Sequence, residues 1–318
     1  WPDRPHVRGA APRHAHPGRR GRGLSPAAAL GGDLSAPPVL LGQGGGRKAG
    51  ATHFQASSSM HDDGHSANYD YVLRRAVDLS GGARPRILDY GCGRAQGVTL
   101  GLARGLDIWG TDSFEGPWRS WRQDMPAATA ERVLALEDGR IPVPDGHFDA
   151  VFANQVFEHL RDVPGVLEEI RRVLKPGAPL LALFPTRDTW WEGHTGLYFV
   201  HYLSRWPALR RRYLDLAHRC GFGFYRRRQT REAWVAQRAK VIDEFCVYHE
   251  IGQVRRWWRD CFGQAPQSLA ADYIRFRLAR HPRLAAARRL ADGRATTPLL
   301  ALVCHRRAGR VLLARKPA

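Results

Sequence analysis

The chain has 318 residues, 43% of them apolar and 25% charged, which suffices for one large globular domain or two ordinary ones and excludes a wholly disordered or fibrous protein. Lys and Arg outnumber Asp and Glu by 49 to 30, a net charge of +19 that raises the question of an anionic partner. The five cysteines form no C-x-x-C pair, which argues against a disulfide framework or a cysteine-built zinc site and suits a reducing, cytoplasmic setting.

Residues 1–59 are rich in Gly, Pro, Ala and Arg and carry neither a helical nor a strand period, so they read as a disordered leader. Met60 is the first methionine and opens the first segment with folded character, which makes a mis-assigned start an alternative origin for the stretch before it. The chain opens at a tryptophan without a basic segment followed by an apolar one, so no secretory signal is expected, and no apolar run approaches the roughly 18 residues of a membrane helix.

From Asn68 onward Tyr69, Val72, Leu73, Ala76 and Val77 fall at helical spacing, and Gly81-Gly82 stop that helix before a first strand, Arg86–Tyr90. Further strands are expected at 106–111, 133–136, 148–153 and Pro179–Phe184. The stripe Val163, Val166, Leu167, Ile170, Val173 and Leu174 predicts a helix before the fifth strand. This alternation predicts an α/β fold with a doubly wound, mostly parallel sheet covered by helices on both faces. After Pro185 an aromatic, Arg-rich region reads as mainly helical to about Phe262, and the apolar run 299–304 is expected to return as a final strand at the sheet edge.

The sharpest local signal is Asp89-Tyr90-Gly91-Cys92-Gly93-Arg94-Ala95-Gln96-Gly97, where a buried strand turns into a helix. Gly91 and Gly93 let the backbone approach a ligand closely, and a helix starting near Ala95 aims free N–H groups at the same place. The spacing is not the dinucleotide G-x-G-x-x-G, since three residues separate Gly93 from Gly97. Asp112 ends the second strand 23 residues after Asp89, about where a carboxylate takes two ribose hydroxyls. Glu137-Asp138 end the third strand, and residues 141–149, IPVPDGHFD, lead into the fourth.

With Glu158-His159 after strand four and residues 172–178, RVLKPGA, before strand five, the set resembles the class I S-adenosylmethionine-dependent methyltransferases, in particular the type 11 group. The resemblance covers roughly residues 65–185. Arg94-Ala95 stands where a small residue plus glycine is usual, and Ala178 replaces a second glycine. The resemblance implies a seven-stranded sheet with a helical insertion after strand five, and S-adenosylmethionine as cofactor. It implies that Asp89, Gly91 and Gly93 hold the methionine end with Asn154. It further implies that Asp112 takes the ribose, and that Glu137 and the Asp138 N–H take the adenine. The domains are then a leader at 1–59, a cofactor-binding core at 60–185, an Arg- and Trp-rich substrate cap at 186–262, and a C-terminal segment at 263–318 that completes the sheet with strands and a helix.

Methyl transfer needs the nucleophile held in line with the methyl group and, where it must lose a proton, a base. The loop at 190–202 holds two histidines, a carboxylate and several aromatics just past strand five, where open α/β sheets bind ligands. His194 is the expected general base, with Glu192 and His201 as orienting or alternative groups. A metal held by Glu192, His194 and His201 has no second ligand cluster behind it, and no metal is expected.

The charge is uneven: residues 1–59 carry 8 basic and 2 acidic side chains, residues 60–185 carry 14 and 18, and residues 186–318 carry 27 and 10. Basicity therefore belongs to the cap and the C-terminal segment. Only four of the cations are lysines, a bias that a GC-rich coding sequence produces without any partner. Arg210 to Arg212, Arg226 to Arg228, and Arg255-Arg256-Trp257-Trp258-Arg259 suit an anionic small molecule, a lipid or sugar-containing acceptor, or a peripheral membrane contact. RNA is disfavoured, because Asn154-Gln155-Val156-Phe157 lacks the turn that grips a flipped base. Two other readings keep the fold: an RNA- or anionic-membrane-binding protein without transferase activity, and an RNA methyltransferase.

Overall fold

A computed structural model of the chain describes residues 62–115, 121–123 and 125–318. The expected leader lies outside them. Helix α1 (Asp62–Ser80) leads into β1 (Arg86–Tyr90), followed by α2 (Gln96–Leu102), β2 (Asp107–Asp112), a short α3 (Ala127–Ala130), β3 (Val133–Ala135), β4 (Ala150–Asn154), α4 (Val163–Val173) and β5 (Pro179–Phe184). These lie within two residues of the strand boundaries read from the sequence. A hairpin of β6 (Trp191–Glu192) and β7 (Leu197–Tyr198) follows, then helices α5 (Pro207–Arg219), α6 (Arg231–Lys240) and α7 (Ile251–Phe262). The chain ends with β8 (Gln267–Ser268), α8 (Ala270–Ala279), α9 (Ala285–Ala291), α10 (Thr297–Arg307) and β9 (Arg310–Arg315).

Seven strands form one sheet in the order β3-β2-β1-β4-β5-β9-β8. The first five are parallel, and β9 runs antiparallel between β5 and β8. Strand β5 is buried along its whole length and shows why a continuous apolar run is required there. Leu180, Ala182 and Phe184 face the layer of α4 and α7, while Leu181 and Leu183 face that of α1 and α8.

Helix α4 forms because Val163, Leu167, Ile170 and Val173 make one buried stripe, Asp162 caps its start by accepting from the Gly165 N–H, and Arg171-Arg172 occupy its last turn. Arg172 also explains the RVLKPGA stretch. It donates to the carbonyls of Ile141 and Val143 and to Glu169 and Asp145, clamping the loop before β4, while Glu169 accepts from the Ile141 N–H at 2.7 Å. Lys175 Nζ reaches Asp149 Oδ1 at 2.7 Å and fixes the other end of that loop.

The final strand is a correction. Residues 299–304 belong to α10, with Leu300 and Cys304 inward and Leu299, Leu302 and Val303 exposed; the final strand is β9 after Gly309, which lies between β5 and the edge strand β8. Pro298 in the first turn and His305, Arg306 and Arg307 in the last favour a helix that the apolar run alone does not reveal.

The arginine clusters are corrected in part. Arg210 is buried and pairs with Asp243, Arg275 donates to the carbonyl ending α9, Arg277 reaches Asn68, and Arg280 pairs with Asp70. Trp258 is core rather than interface, its ring centroid 4.9 Å from that of Phe157 and 5.9 Å from that of Phe184. Arg255, Arg256 and Arg259 stand exposed on the outer side of α7.

Candidate active site

The glycine-rich turn lies at the carboxyl end of β1. Gly91 and Cys92 donate to the Thr111 carbonyl at 2.8 and 3.0 Å, which ties the turn to β2. Gly91 has φ +72°, and a Cβ there would sit 2.5 Å from Val156. Gly93 has φ +53°, and its Cβ would meet Trp121 at 2.8 Å. Both glycines are required by backbone conformation and by close approach. Ala95, where glycine is usual, also adopts a left-handed conformation, φ 56°. Arg94 stacks its guanidinium 5.3 Å from the Trp121 ring.

Asp89 is fully buried in β1, against Gly97, with neither carboxylate oxygen hydrogen-bonded among the described residues. Burial, and then the charge of Asp112, push its carboxyl well above the usual range. Asn154, at the end of β4, is buried with its Oδ1 also unpartnered among those residues. Asp112 ends β2 and turns back over the glycine turn, accepting from the Gly93 N–H at 2.9 Å and the Phe114 N–H at 3.1 Å. Each of its oxygens keeps a second lone pair. Glu137 and Asp138 stand exposed in the tight turn after β3, closed by hydrogen bonds between the Glu137 and Arg140 backbones.

A second polar cluster lies just beyond β4. Val156 packs on Gly91, and the turn that follows carries Glu158 and His159. Glu192 is buried in the hairpin and organises it, accepting from the His194 N–H at 3.0 Å and the Thr195 N–H at 2.7 Å. It also takes His194 Nδ1 at 2.7 Å and the Tyr248 hydroxyl at 2.7 Å, and these donors hold its carboxyl well below the usual range despite burial. His194 Nε2 faces His159 Nε2 at 3.3 Å, and His159 Nδ1 meets the Phe245 carbonyl at 2.6 Å. Burial, and then the neighbouring His194, bring the His159 imidazole down to about 4. Against the cost of burial, Cys246 and Glu192 hold His194 above its ordinary value. Glu158, fully buried with no partner for either oxygen among the described residues, is pushed up to about 8 by burial.

Of the three residues expected to act on the acceptor, the structure brings together His194 and Glu192. His201 adjoins them through Tyr248, its ring centroid 4.6 Å from that of Tyr248, and turns Nε2 to the Arg187 carbonyl at 3.3 Å. His159, Cys246 and Tyr248 complete the cluster in its place. His159 was signalled by its pairing with Glu158, whereas Cys246 and Tyr248 come from a stretch with no local pattern. Ligand atoms of His159, His194 and Cys246 lie within 4.8 Å of one another.

Residues 88–182 match the family model described as a methyltransferase domain, of type 11. Over those residues the chain is similar to methyltransferase domains of type 11. An uncharacterized methyltransferase of Mycobacterium tuberculosis is 34% identical over 114 residues, 36% of this chain and 45% of that protein. A demethylmenaquinone methyltransferase of Thermus thermophilus is 36% identical over 139 residues, 42% of this chain and 61% of that protein. The match to the mycobacterial relative thus spans less than half of its length. Among solved structures, the geranyl diphosphate C-methyltransferase of Streptomyces coelicolor is 14% identical over 83% of this chain and 88% of its own, with a TM-score of 0.41. In this chain the glycine turn, Asp112 and Asn154 all lie at the carboxyl ends of the parallel strands.

Proposed function

We propose that this protein transfers a methyl group from S-adenosylmethionine to a small-molecule, lipid or sugar-containing acceptor. The observation that carries the reading is the set of three buried acceptor atoms, both oxygens of Asp89 and Oδ1 of Asn154, without donors among the described residues. Buried acceptors cost free energy unless a donor meets them, and an ammonium group bears three. Asp89 and Asn154 would hold the cofactor's amino end, Gly91 and Gly93 would let its backbone-facing side approach, and Asp112 would take the ribose hydroxyls. Glu137 and the Asp138 N–H would meet the adenine. Bound there, S-adenosylmethionine supplies an electrophilic methyl group on a sulfonium sulfur.

Residues 186–262 cover the acceptor, and the His194–Glu192 pair activates its nucleophile. Glu192 orients the imidazole and offsets positive charge on it, while water access is restricted by the hairpin and by Tyr248. An amphipathic acceptor is supported by the aromatics of the cap: Trp190, Tyr198, Phe199, Tyr202 and Trp206 are exposed, and the Arg306 and Arg307 guanidiniums stack on Trp190 and Trp191. No helix among the described residues is long and apolar enough to cross a membrane. Incubation of the protein with methyl-labelled cofactor and a metabolite and lipid extract, followed by mass spectrometry, tests the reading. A labelled small molecule or lipid is expected. Label found in RNA alone, or nowhere, refutes it.

A further inference from the structure

The two histidines of the cap cluster have fixed tautomers. His159 Nδ1 lies 2.6 Å from the Phe245 carbonyl oxygen, which only accepts, so that nitrogen carries hydrogen. His194 Nδ1 lies 2.7 Å from Glu192 Oε1, a carboxylate oxygen that also accepts from the Tyr248 hydroxyl, so it too carries hydrogen. In the neutral rings both remaining lone pairs are on Nε2, and the two Nε2 atoms face each other at 3.3 Å. Lone pairs so placed repel unless a cation lies between them, either the proton that the His194 imidazole, held above its ordinary value, carries or a metal ion. Two nitrogens each about 2.0–2.1 Å from a tetrahedral zinc ion are ~3.3–3.4 Å apart.

Three further observations agree. Cys246, whose Sγ lies 3.7 Å from His194 Nδ1, brings a sulfur into the same 4.8 Å cluster and would turn from that ring edge toward the Nε2 atoms to complete the nitrogen and thiolate set that suits zinc. Ligand histidines commonly donate their other N–H to a carboxylate or a backbone carbonyl, and here Glu192 stands behind one ring and the Phe245 carbonyl behind the other. A dication, one thiolate and the Glu192 carboxylate together carry no net charge, which suits a half-buried cluster.

We propose that His159, His194 and Cys246 bind a divalent cation of the zinc class, with a fourth coordination position left for the acceptor's nucleophile. This rests on the reading of the cluster as the acceptor-activating side of the site and deepens it: His194 holds the cation instead of acting as the base, the cation lowers the pKa of a bound hydroxyl or amine, and its proton leaves to water on the partly exposed side of His194. It also replaces the expectation of no metal with a ligand set in which His159 and Cys246 take the places of Glu192 and His201.

The test uses the full chain, stripped with chelator and titrated with cobalt(II). One equivalent is expected to bind, with the strong visible bands of a tetrahedral site and a thiolate-to-cobalt band in the near ultraviolet. Cys246→Ser removes the thiolate band, His159→Ala removes tight binding, and Glu192→Gln weakens binding about 10- to 100-fold. Cys220→Ser, at an exposed cysteine, leaves the spectrum unchanged. No tetrahedral spectrum in the unsubstituted protein, or a thiolate band that survives Cys246→Ser, overturns the proposal and leaves a shared proton between the rings. Calorimetry with S-adenosylmethionine on the same samples separates the two readings. Cofactor binding without cobalt binding removes the metal alone, and loss of cofactor binding removes the transferase reading beneath it.

Discussion

Asp89→Asn keeps the size of the side chain and removes the charge that the cofactor's ammonium would meet. Asp89 is buried without a donor, and its carboxyl is raised by burial and by Asp112, so the free protein favours the protonated form. A carboxyl whose native pKa exceeds its unfolded value makes the native state the better proton binder. Stability therefore falls by about 1.4 kcal/mol per pH unit as the pH climbs from ~4 toward the native pKa. The substitution abolishes that fall and leaves the cofactor-free protein at least as stable near neutral pH. Cofactor binding moves the other way. An ammonium set against an ionised Asp89 gains a charge-assisted hydrogen bond of about 1.5–3 kcal/mol, so Asp89→Asn raises Kd about 10- to 150-fold. Because pairing ionises the carboxyl, the unsubstituted protein releases close to one more proton on binding than the variant does. Calorimetric titrations in buffers of different ionisation enthalpy measure this directly. Equal affinity in the two proteins, with equal proton release, refutes the placement of the ammonium beside Asp89.

Other outcomes follow from particular contacts. Asp70 is buried among Arg74, Arg104 and Arg280, and against the cost of burial Arg74 and Arg104 hold its carboxyl below the usual value. Asp70→Asn should therefore cost about 2 kcal/mol at neutral pH in urea unfolding, a gap that is constant above the unfolded pKa of ~4 and closes as pH falls through the lower native one. Trp258→Ala empties the core between Phe157 and Phe184 and should cost about 3–5 kcal/mol; a loss under ~1 kcal/mol would place that ring at the surface. Leu302→Lys should change stability by under ~0.5 kcal/mol, whereas Leu300→Lys should destabilise strongly, because Leu300 faces inward from α10 and Leu302 outward. Equal sensitivity of the two positions would favour the strand first expected there.

The cofactor half was legible because its signals are local. Fully buried parallel strands read as apolar runs, the α4 stripe repeats at helical spacing, and the glycines mark positive φ at a strand-to-helix turn. Asp112 could be placed because it ends a strand. The α10 run, six apolar residues, fits a short strand as well as a helix, and what decides is Pro298 in the first turn and Arg306-Arg307 in the last. The cap cluster was only half visible. Glu192 and His194 lie two residues apart in a hairpin turn, but Cys246 and Tyr248 reach them across more than 50 residues, a distance set by the packing of the cap helices and by no spacing rule. Likewise Trp258 sits among arginines in sequence, yet the period of α7 turns it into the core and leaves Arg255, Arg256 and Arg259 outside.

Calorimetric titration of the full chain with S-adenosylmethionine tests directly whether the glycine turn and its carboxylates hold that cofactor. The account predicts one site per chain, with affinity reduced at least about tenfold in Asp112→Ala, which loses hydrogen bonds to the ribose worth ~1.5–3 kcal/mol each. Absence of binding to the folded protein, or an affinity that Asp112→Ala leaves unchanged, would contradict it.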